Sequence, residues 1–194
     1  MTVLAAACAS TSFVSMRKSS TAQPLHLKGE KVAAVVLMKD QTPRKAAEDQ
    51  LAREITRRGA VGVPLYTILP DAAPGDEEKV RTTLEAANFK AVVVMHPAGS
   101  KQEITVTADP GYSRFYGGYY GYGWSTTWSR DAHYEAHTDT IVFVDIRVYS
   151  LVQNELIWEG RSKTTNPDNV SEFVSDLAAA TADELASAGL IGGS

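Results

Sequence analysis

The segment KVAAVVLM, Lys31–Met38, does most to determine the fold. Its continuous valine-rich apolar run is typical of a strand buried on both faces of a sheet. The residues that follow predict a helix of about four turns, because Ala47, Leu51 and Ile55 recur every four residues. Gly59 provides the C-terminal stop of that helix.

The alternation of strand and helix then continues along the chain. Thr42 is predicted to cap the first helix, with Pro43 at its first position. A second strand is predicted over 59–69, a second helix begins at the acidic residues 76–78, and a third strand follows over 90–96. Helical connections at this spacing imply right-handed crossovers, so these strands are predicted to be parallel.

The second half of the chain has a different pattern. Strands are predicted over 101–108, around 141–149 and over 154–165, without helices between them. A tight hairpin at Gln153-Asn154 makes this half antiparallel, and an amphipathic helix begins at about Asn169. The fold class predicted is therefore α/β: a single domain with a mixed parallel and antiparallel sheet, packed with about three helices.

Composition excludes several classes of protein. The 194 residues are 44% hydrophobic and 22% charged, as in an ordinary globular protein. The net charge of −4 argues against nucleic acid as a partner, since nucleic-acid binders usually carry a basic surplus. No run of eighteen apolar residues is present, so no membrane-spanning helix is predicted.

The segment GYSRFYGGYYGYGWSTTW, Gly111–Trp128, lies within a Gly/aromatic insertion predicted over 109–130. Aromatic residues recur mainly at even positions with glycine and serine between them, and this period of two predicts a long β-ribbon or loop. Tyrosine and tryptophan are enriched where proteins meet partners, so the segment is predicted to bind a protein partner. The predicted contact residues are Tyr112, Phe115, Tyr116, Tyr119, Tyr120, Tyr122, Trp124 and Trp128.

Two other interpretations of this segment stay open. The rings can lie back over the sheet and simply close the domain, in which case the segment is structural. They can also stack on sugar rings, which predicts a glycan-binding surface. The partner can also be a second copy of the chain, because an exposed strand edge of an aromatic ribbon can pair with another strand.

The segment DAHYEAHTD contains the best candidates for a metal site: His133, Glu135 and His137. If the segment is a strand, these residues share one face, but residues four apart lie about 13 Å from one another. His133 and His137 then cannot hold one ion, and a polar solvent-facing surface is the simpler interpretation. A surface that responds to pH is an alternative, because histidine titrates near neutrality. No cofactor and no bound metal are predicted.

The chain shows no catalytic motif. It contains no GxSxG segment, and its glycines follow neither GxGxxG nor GxxxxGK[ST]. The basic residues of the first helix are predicted to form a solvated face, and Asp145 with Arg147 a structural ion pair. The chain is therefore predicted not to be an enzyme, and a hydrolase or metalloenzyme built on His133 and Glu135 is the remaining catalytic hypothesis.

The N-terminal residues MTVLAAACAS place a short apolar run before the single cysteine, Cys8. This pattern is similar to the end of a bacterial lipoprotein signal peptide, in which the cysteine receives the lipid. The alternative is an ordinary N-terminus with a free thiol. The division predicted is a signal-peptide remnant over 1–8, a flexible tether over 9–29, the α/β domain over 30–189 and a tail over 190–194.

The chain resembles a family of bacterial envelope lipoproteins of unknown function that carry a Gly/Tyr/Trp-rich insertion. The resemblance rests on LAAAC, KVAAVVLM, KAVVVMHP and most of all TDTIVFVDIRVYSLVQNELIWEGRSKTT. It implies a small domain that faces the periplasm and is tethered by the lipid on Cys8. Ala9 after the cysteine implies the outer membrane, and the family implies no enzymatic activity.

These observations predict a non-enzymatic envelope lipoprotein, anchored to the membrane at Cys8. Its α/β domain is predicted to bind an envelope protein, or a second copy of the chain, through Tyr112–Trp128. The alternative is a module that binds glycan or peptidoglycan through stacked aromatic rings.

Overall fold

The structure, a computed structural model, describes residues 11–23, 25–70, 76–108, 134–167 and 169–192, with residues 104–108 and 134–137 described by their backbone. The elements in chain order are β1 (Thr11–Lys18), β2 (Lys31–Val36), α1 (Gln41–Arg57), β3 (Val61–Pro64), a 3₁₀ helix (Leu65–Thr67), α2 (Glu77–Ala86), β4 (Ala91–Ala108), β5 (Tyr134–Ser150), β6 (Glu155–Thr165) and α3 (Val170–Ser187). The strands form one sheet in the order β1-β6-β5-β4-β2-β3. The predicted α/β domain with a mixed sheet and three α-helices is confirmed for these residues.

Strand β2 is the centre of the parallel half, because it pairs in parallel with both β3 and β4. The chain leaves β2 toward β3 through α1 and returns past β2 to β4 through α2. Right-handed crossovers in opposite directions place these two helices on opposite faces of the sheet.

Alternating residues of β2 divide the core between the two faces. Val32, Ala34 and Val36 pack in one cluster with α1 and α3, and we call this side the α1/α3 face. Ala33 and Val35 pack in a second cluster with α2, on the side that we call the α2 face. The valine-rich run is therefore buried on both sides, as its sequence predicts.

The second half of the sheet is antiparallel, as predicted. β4 pairs with β5, β5 with β6, and β6 with β1. The β5–β6 turn ends at Asn154, which has a φ of 55° and lies in the left-handed region that asparagine tolerates better than most residues. The predicted hairpin is confirmed.

Several predicted boundaries differ from the structure at prolines. The strands predicted over 90–96 and 101–108 form one strand, β4, with a bulge between Pro97 and Gly99. Pro97 cannot donate to the ladder, and the bulge lets the strand continue past it. The strand predicted over 59–69 ends at Pro64 for the same reason. Helix α1 begins at Gln41 with Asp40 as its N-cap residue, so Thr42 and Pro43 lie within the first turn.

The flexible tether predicted over 9–29 is wrong for residues 11–18. Thr11–Lys18 form β1, which pairs with β6 along the edge of the sheet. Phe13 contacts Trp158 edge-on, with ring centroids 5.9 Å apart. The polar composition of this segment suits an edge strand, which buries only part of one face.

The domain limits of 30 and 189 are also too narrow. Leu27, before the predicted start, and Leu190 and Ile191, in the predicted tail, are all buried in the core on the α1/α3 face. The Leu27 amide donates to the Leu190 carbonyl at 2.9 Å. The two ends of the domain therefore hold each other in place.

Candidate functional site

The β4–β5 ribbon projects beyond the rest of the sheet. Pairing of β4 with β2 ends at Met95, and pairing of β5 with β6 ends at Ile141. Beyond these points β4 and β5 stay paired from Gln102–Thr140 to Ala108–Tyr134. These seven pairs extend roughly 20 Å at about 3.3 Å per residue, and no other described strand pairs with them.

Asn166 fixes the base of this projection just after β6 ends. Its amide N–H donates to the Thr140 carbonyl at 2.8 Å, and its side-chain oxygen accepts from the Thr140 amide at 2.7 Å. Its side-chain nitrogen donates to Asp139 at 2.7 Å. With a φ of 48°, Asn166 turns the chain off the ladder while its side chain continues the strand pairing.

The predicted partner-binding residues lie outside the described residues. The chain between Ala108 and Tyr134 contains all of them, and it connects the two strands at the far end of the ribbon. Cys8 lies before the first described residue, so its lipid attachment stays a prediction. The structure thus shows where the segment 109–133 is attached to the domain.

The candidate metal ligands fall partly within β5. His133 lies outside the described residues, whereas Glu135 and His137 are strand residues that pair with Thr107 and Thr105. Residues two apart on a strand lie about 6.6 Å from one another, so these two need a third ligand from another element. Among the side chains that the structure describes, no group of three His, Cys, Asp or Glu residues could hold an ion.

The predicted ion pair of Asp145 is present, but its partner is Arg161 of β6 and not Arg147. The guanidinium donates two hydrogen bonds to the carboxylate, at 2.6 and 2.9 Å. The Arg161 hydrogen bond is the main reason that the pKa of Asp145 lies below its ordinary value, although burial opposes the shift. The two residues face each other across neighbouring strands, a position that residue spacing within β5 could not reveal.

A groove of about 730 Å³ lies on the α2 face. Its floor is formed by β2, β4 and β5, and α2 forms one wall. The apolar lining residues are Val35, Val36, Leu37, Met38, Leu65, Val80, Val92, Val94, Tyr149, Leu151 and Leu156, and the polar ones are Arg44, Glu48, Glu77, Arg81, His96, Asp145, Arg147, Ser150, Asn154 and Glu155. The sequence did not predict this groove, because it depends on how much of the sheet α2 covers.

Glu48 is a buried carboxylate at one end of the groove, with 1% of its surface exposed. It accepts hydrogen bonds from the amides of Val36, at 3.3 Å, and Tyr66, at 2.9 Å. Burial raises the pKa of Glu48, and these hydrogen bonds limit the rise. Glu48 therefore joins α1 to the ends of two parallel strands.

The solvated face predicted from the basic residues of the first helix is only partly present, since Arg53 and Arg57 are exposed but other charged residues are not. Glu48, Glu54 and Arg44 are buried, and Arg58 donates to Glu54 at 2.8 Å and to Asp183 of α3 at 2.7 Å. The sequence does indicate that Glu48 is buried. Glu48 lies three residues before Leu51 and seven before Ile55, and this spacing places it on the apolar side of the helix.

Comparison with known proteins finds distant structural likenesses only. No family model and no curated protein matches the chain. A point variant of the PelC dodecamer from Paraburkholderia phytofirmans is 17% identical, with a TM-score of 0.44, over 88% of this chain and 94% of that chain. The PelC dodecamer itself is 13% identical, with a TM-score of 0.43, over 85% and 91% of the two chains.

The third similar structure is the lipoprotein GNA1162 from Neisseria meningitidis. It is 11% identical, with a TM-score of 0.43, over 81% of this chain and 99% of that chain. With TM-scores under 0.5, these likenesses determine neither the family nor the function of this chain. In the described part of the chain, no helix has the length and apolar character that crossing a membrane requires.

Proposed function

We propose that this chain is a non-enzymatic envelope lipoprotein, anchored through Cys8, that binds a protein partner or a second copy of itself through Tyr112–Trp128. The observation that supports the proposal is the projecting β4–β5 ribbon, which carries this segment at its far end. An isolated two-stranded ribbon is marginally stable in water. Contact with a partner would supply the burial that such a projection lacks.

The residue types of the segment suit such a contact. Tyrosine and tryptophan give a large contact area with few rotatable bonds, and a polar tip that can donate a hydrogen bond. A ribbon about 20 Å long would also hold these residues away from the charged surface of the sheet. The ribbon would then act as an arm and the segment as its contact surface.

The anchor would place this arm at a membrane. Strand β1 begins at Thr11, three residues after Cys8, and it is packed on the sheet edge. A lipid on Cys8 would therefore hold the domain close to the bilayer and not at the end of a long tether. Stable anchoring needs more than one acyl chain, and bacterial lipoproteins carry several.

The test replaces the eight aromatic residues of Tyr112–Trp128 by serine and keeps the length of the segment. We expect the variant to fold, by circular dichroism, and to lose its self-association in sedimentation or its crosslinks in native envelope. The matched control replaces Ser113, Ser125, Thr126 and Thr127 by alanine and leaves every ring in place. Equal assembly and equal crosslinks in wild type and aromatic variant would contradict the proposal. Competition by soluble peptidoglycan fragments would instead support the glycan alternative.

The anchor is tested separately. Cys8→Ser in the native host should move the protein from the membrane fraction to the soluble periplasmic fraction, without changing its thermal unfolding. An unchanged membrane fraction would contradict lipid attachment at Cys8.

A further inference from the structure

The groove on the α2 face lies at the position where α/β folds bind ligands. Strand β2 leads into α1 on one face, and its neighbour β3 leads into α2 on the other. Chain paths that diverge to opposite faces leave a crevice outside the carboxyl ends of the strands. Leu37 and Met38 follow β2, and Leu65 follows β3, so the groove extends into this crevice.

The floor and walls of the groove are largely apolar. Val35, Val92 and Val94 form the floor, and Val80 of α2 and Leu151 flank it. Leu37 and Tyr149, which also line it, are 38% and 37% exposed. A volume of about 730 Å³ falls within the range of pockets that bind small molecules.

Arg147 gives the groove a cation with no hydrogen-bond acceptor among the described residues. The other arginines of β6 and β1 nearby are paired: Arg161 holds Asp145, and Arg17 holds Glu159. Arg147 lies on β5 directly opposite Val94 of the floor. An anion bound to its guanidinium would therefore adjoin the apolar surface.

The acidic residues of the groove limit where such an anion can lie. Asp145 is already occupied by Arg161. Glu77 lies at the start of α2, and Glu155 pairs with Ser150, about 10 Å along β5 from Arg147. Glu48, Glu77 and Glu155 disfavour an anion near themselves. Arg81, which also lines the groove, is paired with Glu78, and Glu159, directly opposite Arg147 on β6, is held by Arg17, so Arg147 is the place for the anion.

From this combination we infer that the groove binds a single-chain amphiphile with a carboxylate head group, a fatty acid. Its hydrocarbon chain lies on the valines of the floor, and its carboxylate accepts two parallel hydrogen bonds from Arg147. The inference goes beyond the proposed function, since it uses none of the residues of the ribbon segment.

The test uses the full chain and two probes, laurate and its uncharged methyl ester, below the concentration at which they form micelles. Isothermal titration calorimetry should show saturable laurate binding, with the methyl ester about ten-fold weaker. Arg147→Gln should reduce laurate to the affinity of the ester. The matched control Lys163→Gln, on the same face but outside the groove, should bind laurate as wild type does.

A second pair of variants tests the apolar floor. Val94→Thr keeps the side-chain shape and should weaken laurate and ester equally, whereas Val152→Thr, at a site 63% exposed, should weaken neither. The inference is overturned if laurate does not saturate, if the ester binds as tightly as laurate, or if Lys163→Gln weakens laurate as much as Arg147→Gln. Because the aromatic variant of Tyr112–Trp128 keeps the groove, it should bind laurate normally even if the proposed function fails.

Discussion

The two faces of the sheet are built from the same strands but covered to different extents. On the α1/α3 face, two helices of 17 and 18 residues pack over the sheet. On the α2 face, a helix of 10 residues packs beside a groove of about 730 Å³. The difference indicates that the α1/α3 face supplies most of the buried apolar surface, while the α2 face leaves side chains available for binding.

Strand β5 shows the contrast most clearly, because its residues alternate between the faces. Val144, Ile146 and Val148 are each at most 3% exposed on the α1/α3 face. On the α2 face, the intervening Arg147 is exposed and Tyr149 is 37% exposed. One strand therefore contributes both to the core and to the groove.

The largest expected effect is on the α1/α3 face. Ile146→Ala should lower the free energy of unfolding by about 2–5 kcal/mol, because it leaves a cavity at a fully buried site. Tyr149→Ala, three positions along the strand, should lower the free energy of unfolding by clearly less, because the Tyr149 ring is partly exposed. Urea denaturation of both variants measures the difference, and equal losses would mean that the two faces contribute alike.

The alternation in β5 explains why much of the fold could be predicted. Local patterns identify β2, the period of α1 and the aliphatic side of β5, because each depends on neighbours in sequence. β1 could not be found in this way. Its polar residues form a strand only because β6 offers an open edge and Trp158 a surface for Phe13.

The candidate site was predictable to a smaller extent. The aromatic segment stands out by composition alone, and the antiparallel strands on either side place it at a ribbon end. The partner of Asp145 and the groove depend on register between strands and on the length of α2, which no single segment encodes. Glu48 was misassigned because its charge outweighed its position on the apolar side of α1.

Glu48 provides the next test, since it joins the α1/α3 face to the groove. Burial raises its pKa above the ordinary value of 4.5. At pH values between 4.5 and the raised pKa of the folded protein, folded Glu48 keeps a proton that the unfolded chain has released. The free energy of unfolding therefore falls as pH rises through this window. Glu48→Gln should abolish that part of the pH dependence.

The measurement is urea denaturation of wild type and variant at a series of pH values upward from 4. The two carboxylate oxygens of Glu48 each accept a hydrogen bond, from the amides of Val36 and Tyr66, and glutamine has only one acceptor oxygen. The amide left without an acceptor should lower the free energy of unfolding by about 1–3 kcal/mol. Glu103→Gln, at a side chain 52% exposed, serves as the control and should keep the wild-type pH profile. A Glu48→Gln profile parallel to that of wild type would show that this carboxylate does not titrate with a raised pKa.

The smallest expected effect is on the exposed part of the α2 face, at Asp145. Arg161 holds the pKa of Asp145 below its ordinary value of 3.8, so the stabilising contribution is complete above that value and is lost as pH falls below it. Asp145→Asn should therefore lower stability slightly at pH 7 and approach wild type in acid. The loss is small because Arg161 is 50% exposed and solvent screens the pair, so added salt should reduce it further. A double-mutant cycle with Arg161→Gln isolates the interaction: a coupling that is unchanged at high salt would show that hydrogen-bond geometry, rather than charge, stabilises this part of the sheet.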